Sequence, residues 1–309
     1  QSYNVDDHFD IPQPVGMVGK RLAGNYRIFV GKAKSAKYTD ECIRRAGLNL
    51  KQLILEPLAS AKAVLSDDEK KIGVAMVDIG GGTTDLAIYY DNIVRHTAVI
   101  PFGGNAITED VRQGCGVIPR LANAMKEQHG SCFRDLAGDS VLVIPGMNGR
   151  EPREISFQFL AGIIEARMEE IIEAVMYEIE YSGCAEKLPA GIVFTGGGAM
   201  IQHLEELVHS KTGYPTRIAK PLNITEDSHA DIRRSSCSTA VGLLLKGIEH
   251  EEKAALPTLE QIRIKETVAV PAGGIKKDPA PRGGDKKKKK FFGIDGDLFG
   301  GSFFNDPTL

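Results

Sequence analysis

The sequence predicts an α/β fold built from two related halves. Three observations carry that reading. Val74–Ile79 and Ile192–Thr195 are short, almost wholly apolar runs, the pattern of strands covered on both faces. Each runs straight into three glycines, at 80–82 and 196–198. Between them, residues 160–181 form the strongest helix in the chain. There Leu160, Ile163, Ile164, Met168, Ile171, Ile172, Val175 and Ile179 keep the three-four spacing of one buried face.

The remaining elements follow in order. The first thirty or so positions read as short strands and turns punctuated by Pro12, Pro14, Gly16, Gly19 and Gly24, with 26–30 as a small strand. A helix is predicted over 39–46, closed by Gly47, then a strand over 52–55 and a helix opened by Pro57 and running to Leu65. Residues 86–90 and 93–99 flank Asp91-Asn92, which predicts a hairpin, and a helix is expected to start near Asn105 or Thr108. Residues 141–144 and 154–159 predict another antiparallel pair. Helices are expected over 200–211 and 236–245. From about Gly247, scattered Pro, Gly, Lys and Glu predict a solvated linker that ends in five lysines at 286–290.

Composition narrows the function. The chain has 309 residues, enough for one large domain or two lobes, and its formal net charge of −3 argues against bulk electrostatic capture of nucleic acid. Its five cysteines are widely spaced with no C-x-x-C pair, so neither a disulfide framework nor a zinc site is expected, and a reducing cytoplasm is the natural setting. The seven histidines show no metal-site spacing, and no apolar run approaches the roughly 20 residues of a spanning helix. The N-terminus does not read as a signal peptide and lacks an initiator Met, so the chain is expected to be cut from something longer.

The central chemical signal is Val77-Asp78-Ile79-Gly80-Gly81-Gly82-Thr83-Thr84-Asp85 between two strands. Glycines let backbone N–H groups turn toward a phosphate chain with no Cβ in the way. Asp78, leaving a buried strand, is placed to hold Mg2+ through water, since magnesium is usually bound by a few carboxylates plus phosphate oxygens. Thr83, Thr84 and Asp85 can orient the turn. A glycine triplet alone could equally be a tight hairpin; the whole string in this context favours phosphate. Ile192-Val193-Phe194-Thr195-Gly196-Gly197-Gly198-Ala199 is a second such turn, expected to lead into a helix N-terminus whose free N–H groups suit an anion or nucleotide.

Glu56-Pro57-Leu58-Ala59-Ser60-Ala61, the turn at 78–85, the glycines at 196–198 and Ser238-Thr239-Ala240-Val241-Gly242-Leu243 stand in an order that resembles the actin, heat-shock-70 and sugar-kinase ATPases. Within that superfamily the chain is similar to the FtsA family. The likeness is carried by Pro14-Val15-Gly16-Met17-Val18-Gly19-Lys20-Arg21-Leu22, Arg45-Ala46-Gly47-Leu48, residues 56–65 and 73–85, and Pro101-Phe102-Gly103-Gly104-Asn105-Ala106-Ile107-Thr108-Glu109-Asp110, and it spans about 3–247. The resemblance implies a two-lobed actin-like fold with a ribonuclease-H-like motif, and ATP with Mg2+ as ligands. Asp78 and Gly80 to Thr84 (Gly80, Gly81, Gly82, Thr83, Thr84) match the family's second phosphate loop, and Gly103 and Gly104, in the matching segment beyond it, are expected to bind the nucleotide too. Glu56 matches the Glu that faces metal and terminal phosphate through water; Gly196, Gly197 and Gly198 match the adenosine loop; Lys126 matches a Lys near base and ribose. Asn123 stands where the family usually has a ribose-contacting Glu. The family's first phosphate loop finds no match, so the first lobe is expected to be incomplete.

The implied organisation takes 1–32 as a remnant of the family's inserted subdomain and 33–72 as the rest of the first lobe. It takes 73–109 with 189–247 as the second lobe, 110–188 as its small subdomain, and 248–309 as a flexible linker and basic, Phe-rich tail. The implied function is a division protein that polymerises on itself and links the FtsZ ring to the cytoplasmic face of the inner membrane at the septum. Arg150 and Arg153 are expected to pair with the acidic C-terminal tail of FtsZ. The lysines at 286–290 and the Phe residues after them are expected at the membrane surface. Any hydrolysis is expected to be slow, because no side chain reads as a strong base poised on the attacking water. The alternatives are another actin-family ATPase of the pilus-assembly or rod-shape type, or a small-molecule kinase on the same fold.

Overall fold

The computed structural model describes residues 2–255 except 12, 27, 29, 145–150, 223, 226 and 227. The chain opens with an antiparallel sheet of β1 (Ser2–Val5), β2 (His8–Ile11) and β3 (Leu22–Asn25), in the order β2-β1-β3. The strand expected at 26–30 lies at 22–25 instead. Pairing with β1 sets it there, with Ser2 opposite Asn25 and Val5 opposite Leu22, so the partner ends where β3 ends.

The first helix, α1 (Ala33–Arg45), begins six residues before its expected start. Aligned pairs Asp40–Arg44 and Glu41–Arg45 support it at i, i+4, and Gly47 ends the segment with φ +76°. Residues 52–55 form no strand, and among the described residues none pairs with them; they lead into α2 (Glu56–Val64), with Pro57 in its first turn as expected. A short α3 (Asp67–Ile72), not anticipated from sequence, is started by a reciprocal cap between Ser66 and Glu69.

The main sheet then forms. Strands β4 (Val74–Ile79), β5 (Thr84–Tyr90) and β6 (Ile93–Ile100) make an antiparallel meander, and Asp91 and Asn92 take positive φ at its tight hairpin. The chain continues through α4 (Gly104–Cys115), α5 (Pro119–His129), the antiparallel pair β7 (Val141–Ile144) and β8 (Arg153–Ser156), and the 25-residue α6 (Phe157–Tyr181). It returns as β9 (Ile192–Thr195), α7 (Leu204–Thr212), β10 (Thr216–Ile218) and α8 (Ser238–Ala255). The sheet order is β10-β9-β4-β5-β6, with β9 parallel to both β4 and β10.

Strand alternation sends side chains to two cores. Ala75, Val77, Ile79, Leu86 and Ile88 pack with Ile107 and Val111 of α4, Met125 of α5, Leu160, Ile164, Met168 and Ile171 of α6, and Leu204 and Leu207 of α7. Val74, Met76, Ala87, Tyr89 and Val193 face the other way, against Ala61, Ala63 and Val64 of α2 and Val241 of α8. Helices α2 and α8 touch closely enough that a Cβ on Gly242 would lie 1.8 Å from the Ala59 carbonyl oxygen. The same alternation carries Asp78, Asp85 and Thr195 onto the α2/α8 face, one at the end of each of three neighbouring strands.

Candidate functional site

Both glycine turns leave the carboxyl ends of adjacent parallel strands, β4 and β9, which is where ligands gather in open α/β sheets. The first turn is held in shape from two sides. Gly80 N–H donates to the Thr83 carbonyl at 2.9 Å, and Thr83 Oγ1 donates to Asp85 Oδ2 at 3.0 Å. From the start of α4, Gly104 and Asn105 N–H donate to the Gly80 and Gly81 carbonyls at 2.9 and 2.7 Å, while Thr84 Oγ1 donates to the Phe102 carbonyl at 2.9 Å. Any Cβ on Gly103 would meet the Gly80 and Thr83 carbonyl oxygens at 2.6 and 2.8 Å, so the two segments approach at a distance only glycine permits. Gly103 and Gly104 therefore buttress the turn.

Asp78 is 4% exposed and sits at the centre. Its Oδ2 accepts hydrogen bonds from Ser60 Oγ of α2 at 2.6 Å and Thr239 Oγ1 of α8 at 3.2 Å, and the two hydroxyls lie 2.9 Å from each other. Its Oδ1 takes no hydrogen bond among the described residues and stays open to solvent. That oxygen lies against Gly196, whose own Cβ would fall 2.3 Å away and whose φ of +88° lies in the left-handed region. The second glycine turn thus touches the carboxylate of the first.

Three carboxyls crowd this end of the sheet. Burial pushes Asp78 above the usual carboxylate range, against the pull of the Ser60 and Thr239 hydrogen bonds. Burial likewise raises Asp85, helped by the charge of Asp78 and opposed by the Thr83 bond. Glu56, the first residue of α2, is exposed overall, yet partial desolvation of its carboxyl and the charges of Asp85 and Asp78 raise it too. Among the described residues none of the three forms an ion pair. A cluster of carboxyls that disfavour one another, with an open oxygen at its centre, fits a divalent cation joined to phosphate.

On the far side of the first turn, Lys126 Nζ of α5 donates to the Gly104 carbonyl at 3.0 Å and to Thr108 Oγ1 at 2.8 Å. Burial lowers its pKa. Asn123 Oδ1 accepts from Thr108 Oγ1 at 3.3 Å, and its Nδ2 donates to Glu127 at 2.8 Å. Lys126 and Asn123 are therefore brought together beside Gly104.

Beyond Gly196, Gly197 and Gly198 the chain makes a short 3-10 turn, Gly198–Met200, and α7 begins only at Leu204. The helix expected to start at 200 is displaced because Met200 and Ile201 N–H bond to the Gly197 and Gly198 carbonyls in that tight turn. A cavity of about 760 Å³ adjoins it, walled by Ala199, Met200, Ile201, Lys220, Arg234 and Ser235 among others. Its wall comes from segments far apart in sequence and carries no local signal. The hydroxyls of Ser60 and Thr239 also went unassigned from sequence, although both lie in motifs that stood out.

Of the two expected partner arginines, one is described. Arg150 lies outside the described residues. Arg153 is exposed on β8, and its Nη2 donates to the Cys115 and Gly116 carbonyls at 3.2 and 3.0 Å, closing the C-terminus of α4. Residues 256–309, with the lysine run and the Phe residues, lie outside the described residues as well. Among the described residues no helix is long and apolar enough to cross a membrane.

Known proteins resemble this chain. The family model described as cell division protein FtsA matches residues 75–242. The cell division protein FtsA of Pseudomonas aeruginosa is 36% identical over 252 residues, covering 81% of this chain and 60% of that protein. That of Neisseria meningitidis serogroup B is 39% identical over 246 residues, covering 79% and 59%. The chain thus spans about 60% of the length of these curated relatives. Among solved structures, MreB5 of Spiroplasma citri bound to ADP superposes with a TM-score of 0.59 at 22% identity, covering 72% of this chain and 68% of that one. A MamK double helical filament gives 0.52 at 18% identity, covering 70% and 66%. These two likenesses bear out the actin-like fold. With more than half of the chain inside the family match, both glycine turns included, the chain belongs to the cell division protein FtsA family.

Proposed function

We propose that this chain is part of an ATP-binding division protein that polymerises and joins the FtsZ ring to the cytoplasmic face of the inner membrane at the septum. The observation that supports nucleotide binding most directly is the meeting of two glycine turns at one carboxylate, with Gly196 packed on Asp78 Oδ1 and Glu56 close by. Gly80 to Thr84 would cradle the phosphates, Gly196 to Gly198 the adenosine, with Lys126 and Asn123 on the opposite side. Asp78 would hold Mg2+ through water, and the ion would neutralise phosphate charge. Glu56 would face the terminal phosphate through water. Two solved relatives in fold, MreB5 bound to ADP and MreB5 bound to AMPPNP, carry nucleotides, and another forms a filament.

ATP would favour a polymer-competent state, the tail at 286–309 would hold the polymer to anionic lipid, and Arg150 and Arg153 would receive the FtsZ tail. The test is co-sedimentation of the full chain with anionic liposomes and an FtsZ tail peptide, with and without Mg-ATP. Pelleting of lipid-bound chain and peptide, with lipid binding lost on deletion of 286–309 and peptide lost on exchange of both arginines for Glu, supports the adaptor. Nucleotide binding without either association removes the adaptor function and leaves a nucleotide-binding actin homologue.

A further inference from the structure

Asp78 is held by two hydroxyls that come from different helices and lie far from it in the chain, Ser60 at 18 positions and Thr239 at 161. Ser60 is wholly buried and donates its proton to Oδ2 at 2.6 Å, a charge-assisted bond of the strong kind. Thr239 donates to the same oxygen and lies 2.9 Å from Ser60. With Oδ2 doubly occupied, the carboxylate cannot rotate without breaking two bonds, and Oδ1 is the oxygen left facing Gly196 and solvent. No other group among the described residues hydrogen-bonds the Asp78 carboxylate.

We propose that Ser60 and Thr239 are positioning residues that fix the orientation of the Asp78 carboxylate, so that the α2/α8 packing sets how well the site accepts magnesium-bound nucleotide. This rests on the nucleotide reading above. The two hydroxyls belong to helices that meet at Ala59 and Gly242, so any shift of α8 on α2 changes the Ser60–Thr239 contact and the carboxylate with it. Metal-free nucleotide binding, which depends on the glycine turns, does not depend on that oxygen.

The experiment measures affinity of the full chain for a fluorescent ATP analogue, with Mg2+ and with EDTA, for wild type, Ser60→Ala, Thr239→Val and Thr239→Ser. Melting temperatures are recorded alongside. Both hydroxyl deletions are expected to leave the EDTA affinity within about twofold of wild type and to remove on the order of tenfold from the gain that Mg2+ confers, the size of a hydrogen bond to a charged group. Thr239→Ser, which keeps the hydroxyl, restores that gain. Thr239 is only half-buried, so its variants keep the test open where Ser60→Ala unfolds. A Mg2+-dependent gain in wild type that is equal in Thr239→Val overturns the positioning role and leaves the nucleotide reading standing. Equal loss with Mg2+ and EDTA also overturns it, in favour of a structural role. No nucleotide binding by wild type overturns both.

Discussion

Asp78 and Asp85 stand directly opposite one another on the antiparallel strands β4 and β5, and both belong to the face that packs on α2 and α8. Like charges placed opposite on a sheet destabilise it, and this pair, 4% and 5% exposed, forms no ion pair among the described residues.

The first prediction follows from that pairing. Asp78, Asp85 and Glu56 all have raised pKa values in the folded chain, so folding favours their protonated forms. Their contribution to stability is fully present below the ordinary carboxylate range, about 4, and is lost as pH rises through their raised values. Asp85→Asn therefore melts higher than wild type at neutral pH, and its lead shrinks as pH falls toward that range. Thermal melts across pH check this; curves that stay parallel throughout would count against it.

The second concerns one glycine of the first turn and one that buttresses it from the start of α4. A Cβ on Gly82 meets nothing within 4 Å, whereas one on Gly103 meets the Gly80 and Thr83 carbonyl oxygens at 2.6 and 2.8 Å. Gly103→Ala is expected to cost about 1–3 kcal/mol of stability through overpacking. Gly82→Ala is expected to change stability by no more than about 0.5 kcal/mol, as surface substitutions do, while weakening nucleotide binding by removing the close approach of backbone to phosphate. Denaturant melts and nucleotide titrations on the two variants separate these effects. Unaltered nucleotide binding by Gly82→Ala would mean that the glycine there serves no phosphate.

The contrast between strands and helices shows what sequence could carry. β4 and β9 were legible to the residue because strands covered on both faces are continuous apolar runs with glycines to stop them. The three-residue β10 had too little sequence to signal itself; its place is given by pairing with β9. Residues 52–55 looked like a strand by composition alone, but a strand needs a partner, which sequence does not display. α5 was unread although Lys126, one of its residues, was assigned to the site. The turn at 80–83 and the place of Asp78 at a strand end were legible because strand and turn signals are local. The hydroxyls that hold Asp78 were not, because their meeting is a product of helix packing across as many as 161 positions.

The third prediction concerns Arg153. Its guanidinium closes α4 at Cys115 and Gly116, so Arg153→Ala is expected to cost about 1 kcal/mol through loss of those hydrogen bonds. Arg153→Lys is expected to recover only part of it, since one ammonium cannot reproduce the planar fork. Chemical denaturation of the two variants reads the difference. An Arg153→Ala chain as stable as wild type would free this residue from its structural task and strengthen its assignment to a partner.

The last prediction joins the two helices to the site. Gly242 is where α8 crosses α2, and a Cβ there would lie 1.8 Å from the Ala59 carbonyl oxygen and 2.4 Å from its carbon. Backbone, unlike a flexible side chain, cannot swing aside, so Gly242→Ala must push α8 away from α2. Overpacking of this kind costs about 1–3 kcal/mol. The displacement also parts Thr239 from Ser60, which touch only because the helices do. Once that contact is broken, removing the Ser60 hydroxyl has less left to remove. The Gly242→Ala/Ser60→Ala double variant is therefore expected to be more stable than the sum of the two single losses implies, by a coupling of about 0.5–3 kcal/mol. Urea unfolding of the four chains measures that coupling. Strict additivity would show that the helix crossing and the Asp78 hydroxyls act independently, and would detach the packing of α2 on α8 from the carboxylate it holds.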